Sequence, residues 1–96
     1  MKVVFRPEAR VELLDAQAWY EARVPGLGAE FARAFEAALS AACREPEAFA
    51  VAEEGCRRVV LRRFPFSLYY CCKDERLLVV AVFHHRRHPR QRGGRD

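Results

Sequence analysis

Ninety-six residues, about half of them hydrophobic, are enough for one globular domain with a single core and exclude a disordered chain. No apolar run approaches the roughly 18 to 20 residues of a membrane helix, and the apolar run near the N-terminus is too short for a signal peptide, so a cytoplasmic protein with no membrane partner is expected. Net charge is +4 and strongly polarised: residues 1–54 carry 6 Lys+Arg against 10 Asp+Glu, residues 55–96 carry 11 against 3. A basic half of this kind suits an anionic partner, either nucleic acid or an acidic protein segment.

In chain order, Lys2–Phe5 is a short β-branched run ended by Pro7, which suits the first position of a helix. Ala9, Leu13, Ala16 and Tyr20 then recur on one helical face, broadened by Val11, Leu14 and Ala18, while Arg10, Glu12 and Asp15 fall away from it. Trp19 and Tyr20 close this helix, and Pro25-Gly26-Leu27-Gly28 breaks the chain. A second helix from Leu27 to Arg44 carries the stripe Leu27, Phe31, Phe35, Ala38 and Ala42, with Leu39 in support, and Pro46 ends it. Glu47–Gly55 reads as a linker anchored by Phe49.

Three β-type runs follow, Arg57–Leu61, Ser67–Lys73 and Leu77–His84, joined by a Phe64-Pro65-Phe66 corner and an Asp74-Glu75-Arg76 turn. Leu77–Phe83 is apolar throughout, as in a central strand covered on both sides. Residues 1–89 form the domain; residues 90–96 lack apolar side chains and are expected to be a basic, mobile tail. The fold expected is a two-layer α+β domain of order β-α-α-β-β-β, its N-terminal strand and helical hairpin packed on one face of a mostly antiparallel four-stranded sheet. The opposite face is left as a shallow floor for function. Cys43, Cys56, Cys71 and Cys72 have no C-x-x-C spacing, and adjacent Cys71 and Cys72 point to opposite faces, so buried thiols are expected, without a metal.

Several strings then combine: Phe5, Pro7, Glu8 and Ala9; Trp19-Tyr20-Glu21; Pro25-Gly26-Leu27-Gly28 with Glu30-Phe31; Pro46 and the Phe49 region. The most diagnostic is R-R-x-x-L-x-R-F-P-F-x-L-Y-Y from Arg57 to Tyr70, followed by a string from Val80 to Pro89 that holds Ala81-Val82-Phe83-His84, Arg86-Arg87 and Pro89. This set resembles the RelE/ParE superfamily of toxins from type II toxin–antitoxin systems, also called plasmid stabilisation proteins. The resemblance implies an often acidic antitoxin whose C-terminal segment wraps the toxin, and it leaves open a higher-order toxin–antitoxin complex. It also implies one of two activities, cleavage of messenger RNA at the ribosome or poisoning of DNA gyrase.

RNA cleavage needs a base for the 2′-hydroxyl, an acid for the leaving oxygen and cations about the phosphorane. Cleaving members generally carry an arginine near the start of the third strand and a tyrosine near the C-terminus. Here Ser67 takes the first place, and no tyrosine follows Tyr70. The sequence therefore leans to a ParE-like gyrase inhibitor, acting by protein binding with no cofactor and no catalytic set. Target-binding candidates are Arg58, Arg62, Arg86 and Arg87, and antitoxin-binding candidates are Trp19, Tyr20, Phe31, Arg57 and Arg58. The ribonuclease alternative would use Arg62, Arg86, His84 and His85, the two histidines diverging at a strand end. A degenerate member that binds antitoxin without toxicity is a third reading.

Overall fold

The computed structural model describes residues 1–53 and 55–87; the expected tail and the third histidine, at position 88, lie outside the described residues. Five strands and two helices succeed one another as β1 (Lys2–Phe5), α1 (Pro7–Arg23), α2 (Leu27–Arg44), β2 (Ala50–Glu53), β3 (Cys56–Val60), β4 (Phe66–Lys73) and β5 (Arg76–His84), with a 3₁₀ turn over His85–Arg87. The sheet order is β1-β5-β4-β3-β2. β1 runs parallel to β5 and the other pairs are antiparallel. The sheet thus has five strands, not the four read from the sequence. The added one is β2, inside the stretch expected to be a linker.

Both helices pack on one face of the sheet, α1 over β5 and α2 over β3 and β4. Alternation along β4 sends Leu68 and Tyr70 into the helix-facing core, with Leu77, Val79 and Val82 beside them from β5. The odd step from Val79 to Val82 is allowed by a bulge: Tyr70 opposes Val79 while Tyr69 opposes Ala81, which leaves Val80 as the extra residue. Asp74 and Glu75 both adopt left-handed backbone (φ 53 and 61), the conformation of a two-residue hairpin loop, and set Lys73 against Arg76.

The helix hairpin is fixed to the sheet by aromatic rings. Tyr20 stacks on Phe31 at 5.3 Å between centroids, and Phe64 and Phe66 each meet Phe31 edge-on at 5.1 Å. Tyr20 also meets Phe64 at 4.9 Å, so α1, α2, the β3–β4 corner and β4 share one cluster. The corner itself is tight. Phe66 N–H donates to the Phe64 carbonyl across Pro65, and Leu61 N–H donates to the Phe66 carbonyl.

Between the helices, Glu21 does the work of an N-cap from a distance. Its carboxylate accepts from the Gly26 and Gly28 N–H groups, which would otherwise be orphan donors at the start of α2. These two bonds hold the Glu21 carboxyl below its ordinary value. At Gly28 a Cβ would stand 2.8 Å from the Gln17 carbonyl oxygen, so the helices meet there only because the side chain is absent.

Three expectations need correction. α1 continues one turn past Tyr20 to Arg23. Val11, Leu14 and Ala18 point to solvent instead of widening the buried stripe, because the core accepts only the narrow strip through Ala9, Leu13, Ala16 and Tyr20. β5 is not covered on both sides; Leu78 and Val80 are only half-buried on the face away from the helices.

Replacing Phe31, fully buried at the centre of the ring cluster, by alanine should lower the unfolding free energy by about 3–5 kcal/mol in urea titration. For E21Q the sign follows from the depressed carboxyl. Its contribution is complete above the unfolded carboxyl's value near 4.5 and is lost as pH falls through the lower folded value. The variant should melt earlier than the parent at pH 7, and the gap should close on acidification below that range.

Candidate functional site

A groove of about 680 Å³ opens where α1 passes the C-terminal half of β5, lined by Glu12, Asp15, Trp19, Tyr20, Pro65, Phe66, His84 and Arg86 among others. Its origin is a difference in strand length. β1 ends at Phe5 opposite Val79, whereas β5 runs on to His84, so the last part of β5 has α1 rather than a strand at its side. The Val82 N–H on that edge donates to Glu12 Oε1 at 2.8 Å. A carboxylate from the helix therefore satisfies a sheet donor that β1 is too short to reach. This differs from the expectation that Glu12 falls away from the buried face. It lies three residues after Ala9 and four before Ala16, on the flank of the buried stripe, and that spacing was the signal available.

The groove's walls are aromatic and its rim is charged. Trp19 is 53% exposed, edge-on to Tyr20 at 5.1 Å and covered on one side by the Arg23 guanidinium 4.1 Å from its ring. Burial raises the Tyr20 hydroxyl above its usual value. At the far wall His84 meets Phe66 edge-on at 5.1 Å, and its Nδ1 accepts from the Arg86 N–H at 3.0 Å. Of the proposed antitoxin contacts, Trp19 and Tyr20 thus line this groove, but Phe31 is entirely buried in the ring cluster and offers no surface.

His85 diverges from His84. Its Nε2 lies 3.1 Å from the hydroxyl of Ser67, a fully buried side chain on the sheet face away from the helices. Tyr69 is buried on that same face beside Phe83, 5.7 Å between centroids. Burial raises its hydroxyl, partly offset by the neighbouring Arg58 guanidinium. The far face of the sheet is consequently not an open floor at this end.

The arginines separate by role. Arg57, on the helix-facing side, donates to the Phe49 carbonyl at 2.7 Å and ties the chain before β2 to β3. Arg58 lies on the opposite face across from Tyr69. Arg62 and Arg63 are exposed at the corner and, with Arg33 and Glu30, line a second recess of about 530 Å³. Arg63 has left-handed backbone (φ 68) and pairs with Glu30 at 2.9 Å, an exposed pair that contributes little by itself. Arg86 is on the groove rim, and Arg87 ends the 3₁₀ turn. The four residues of the ribonuclease alternative are therefore dispersed: Arg62 lines the corner recess, His84 and Arg86 the groove, and His85 is engaged on the other face.

The thiol reading needs correction too. Cys56 and Cys71 are joined in a disulfide across β3 and β4, and Cys43 and Cys72 are free. The two bonded positions are symmetric about the Arg63–Phe64 corner, a relation that the hairpin already contained.

The geometry is thus a helical hairpin clamped by aromatic rings over a sheet, with a groove beside the end of a central strand. Residues 3–89 match the family described as ParE toxin of type II toxin-antitoxin system, parDE. The fold resembles a solved structure described as the chromosomal ParDE TA system from P. aeruginosa, with a TM-score of 0.75 and 16% identity over 88% of this chain and 95% of that one. At that identity the likeness is one of fold. No curated protein matches the sequence. The chain belongs to the ParE toxin family and is a ParE-type toxin of a toxin–antitoxin system.

Removing the Glu12 carboxylate (E12A) leaves the buried Val82 N–H without its acceptor. A loss of about 1–3 kcal/mol in stability, with faster hydrogen exchange at Val82, is expected.

Proposed function

We propose that this chain acts in the cytoplasm by binding DNA gyrase and stalling it, and that a cognate antitoxin neutralises it by laying its C-terminal segment along the α1–β5 groove. Membership in the ParE family supports the gyrase reading over the ribonuclease one. The observation that carries the choice is Ser67. The position where RNA-cleaving relatives generally carry an arginine is here a fully buried hydroxyl engaged with His85. A serine there supplies no cation to a phosphorane, and its partner histidine is separated from Arg62 and from the His84–Arg86 pair.

Target binding is assigned to the cationic groups that the fold leaves outward, Arg62 at the corner and Arg86 at the groove rim, with Arg58 and Arg87 as flanking candidates. Their planar guanidinium forks suit carboxylate or phosphate on a gyrase–DNA surface. The groove suits the antitoxin for a different reason: Trp19, Tyr20 and Phe66 supply apolar contact, and Arg86 on its rim suits an acidic chain.

The purified chain should abolish ATP-dependent supercoiling by gyrase and accumulate cleaved DNA. An R62E/R86E variant should need roughly tenfold more protein for the same effect, without loss of fold. Undisturbed supercoiling together with cut messages in programmed ribosomes would refute the reading. Inactivity in both assays, with antitoxin still bound, would make this a member that retains only the antitoxin interaction.

A further inference from the structure

The β3–β4 register places Arg57 opposite Tyr70, so the next rung sets Cys56 against Cys71 with their Cα atoms 4.5 Å apart. That separation belongs to the non-hydrogen-bonded rung of an antiparallel pair, where side chains approach most closely. Both cysteines are half-buried, within reach of a small reagent. The bond closes the chain into a ring that contains Arg57, Arg58, Arg62, Arg63 and the Phe64-Pro65-Phe66 corner. On the same face the neighbouring rung is Arg58 against Tyr69.

The bond lies where β3 has a short, irregular neighbour. The other neighbour of β3 is β2, a four-residue edge strand whose register slips between Val51 and Glu53, and the chain enters β3 through Gly55 at φ 79. A link between Cys56 and Cys71 therefore decides how firmly the start of β3 is held. The remaining thiols are insulated from it. Cys72 follows Cys71 in an extended strand and projects to the opposite face, toward Cys43. Cys72 is exposed, and partial desolvation with the nearby Cys43 pushes its thiol up.

We propose that Cys56 and Cys71 form a reversible thiol–disulfide site that exchanges with small disulfides of the glutathione class and thereby locks or releases the arginine-bearing β3–β4 hairpin. In the oxidising direction one cysteine thiolate attacks the small disulfide, forming a mixed disulfide and expelling one small thiolate. The second cysteine thiolate then attacks the protein sulfur of that mixed disulfide and expels the other small thiolate. The two cysteines lose two electrons and two protons, and the small disulfide is reduced to two thiols. The site is independent of which target the toxin binds.

The test equilibrates the full chain in graded mixtures of oxidised and reduced glutathione, quenches with acid, alkylates free thiols and maps them by peptide mass. Melting is followed in the same mixtures. Cys56 and Cys71 should lose their alkyl groups together, the mass should fall by two hydrogens, and the melting temperature should rise by roughly 10–20 °C on oxidation. C43S/C72S should keep this redox-dependent shift, and C56S/C71S should lose it, each variant being compared with itself across the mixtures so that any fixed folding defect cancels. Stable glutathione adducts in place of the internal bond, pairing of Cys43 with Cys72 instead, or bond formation without a shift in melting would each overturn the proposal. A failed gyrase assay would leave all three readouts standing.

Discussion

The ring cluster of Tyr20, Phe31, Phe64 and Phe66 is the contact on which the other features rest. It is the point where two helices, a strand and the β3–β4 corner are held at once. Two of its members come from the helices and two from the corner more than thirty residues further on, so none of those elements can shift without opening it. The R-F-P-F string gains a physical meaning from this. The two phenylalanines turn inward to the helices across Pro65, and the reversal that permits this leaves Arg62 and Arg63 outside. A domain of 96 residues has little stability in reserve, and concentrating edge-to-face contacts at one corner is an economical way to orient two layers.

From that clamp follow two surfaces of different chemistry. On one side α1 is held beside the end of β5 without touching it along its whole length, which creates the groove, and Glu12 makes the arrangement tolerable by taking the Val82 donor. On the other side the corner carries cationic groups on a rigid base, with the Glu30–Arg63 pair connecting it to α2. The proposed division of labour, an apolar groove for a chain segment and exposed guanidinium groups for the target, is consistent with the uneven charge of the two halves. Arg57 shows why charge alone is a poor guide. It sits in the basic run, yet its guanidinium is spent on the Phe49 carbonyl inside the molecule.

The sequence disclosed the parts of the fold that repeat a pattern and hid those that depend on a single contact. The stripe Leu27, Phe31, Phe35, Ala38 and Ala42 and the β-rich runs after Cys56 were legible from periodicity. β2 was not, because Ala50-Val51-Ala52-Glu53 is short, alanine-rich and at an edge, where pairing with β3 rather than side-chain pattern makes the strand. Val11 and Leu14 misled because apolar residues on a helix do not announce which neighbour, if any, covers them. At the candidate site, Trp19, Tyr20 and Arg86 were visible as residue types, whereas Glu12 and the Cys56–Cys71 pairing showed in the sequence only as a helical spacing and a hairpin symmetry, whose meaning the sheet supplies.

The central claim is that the clamp holds open a groove at the end of β5 that receives the antitoxin. Hydrogen exchange of the toxin with and without its antitoxin tests this most directly, read alongside the fluorescence of Trp19, the single tryptophan in the chain. The account predicts slowed exchange along Val82–His84 and a blue shift of the Trp19 emission on binding. Protection confined to the β2 edge, with Trp19 emission unchanged, would contradict it.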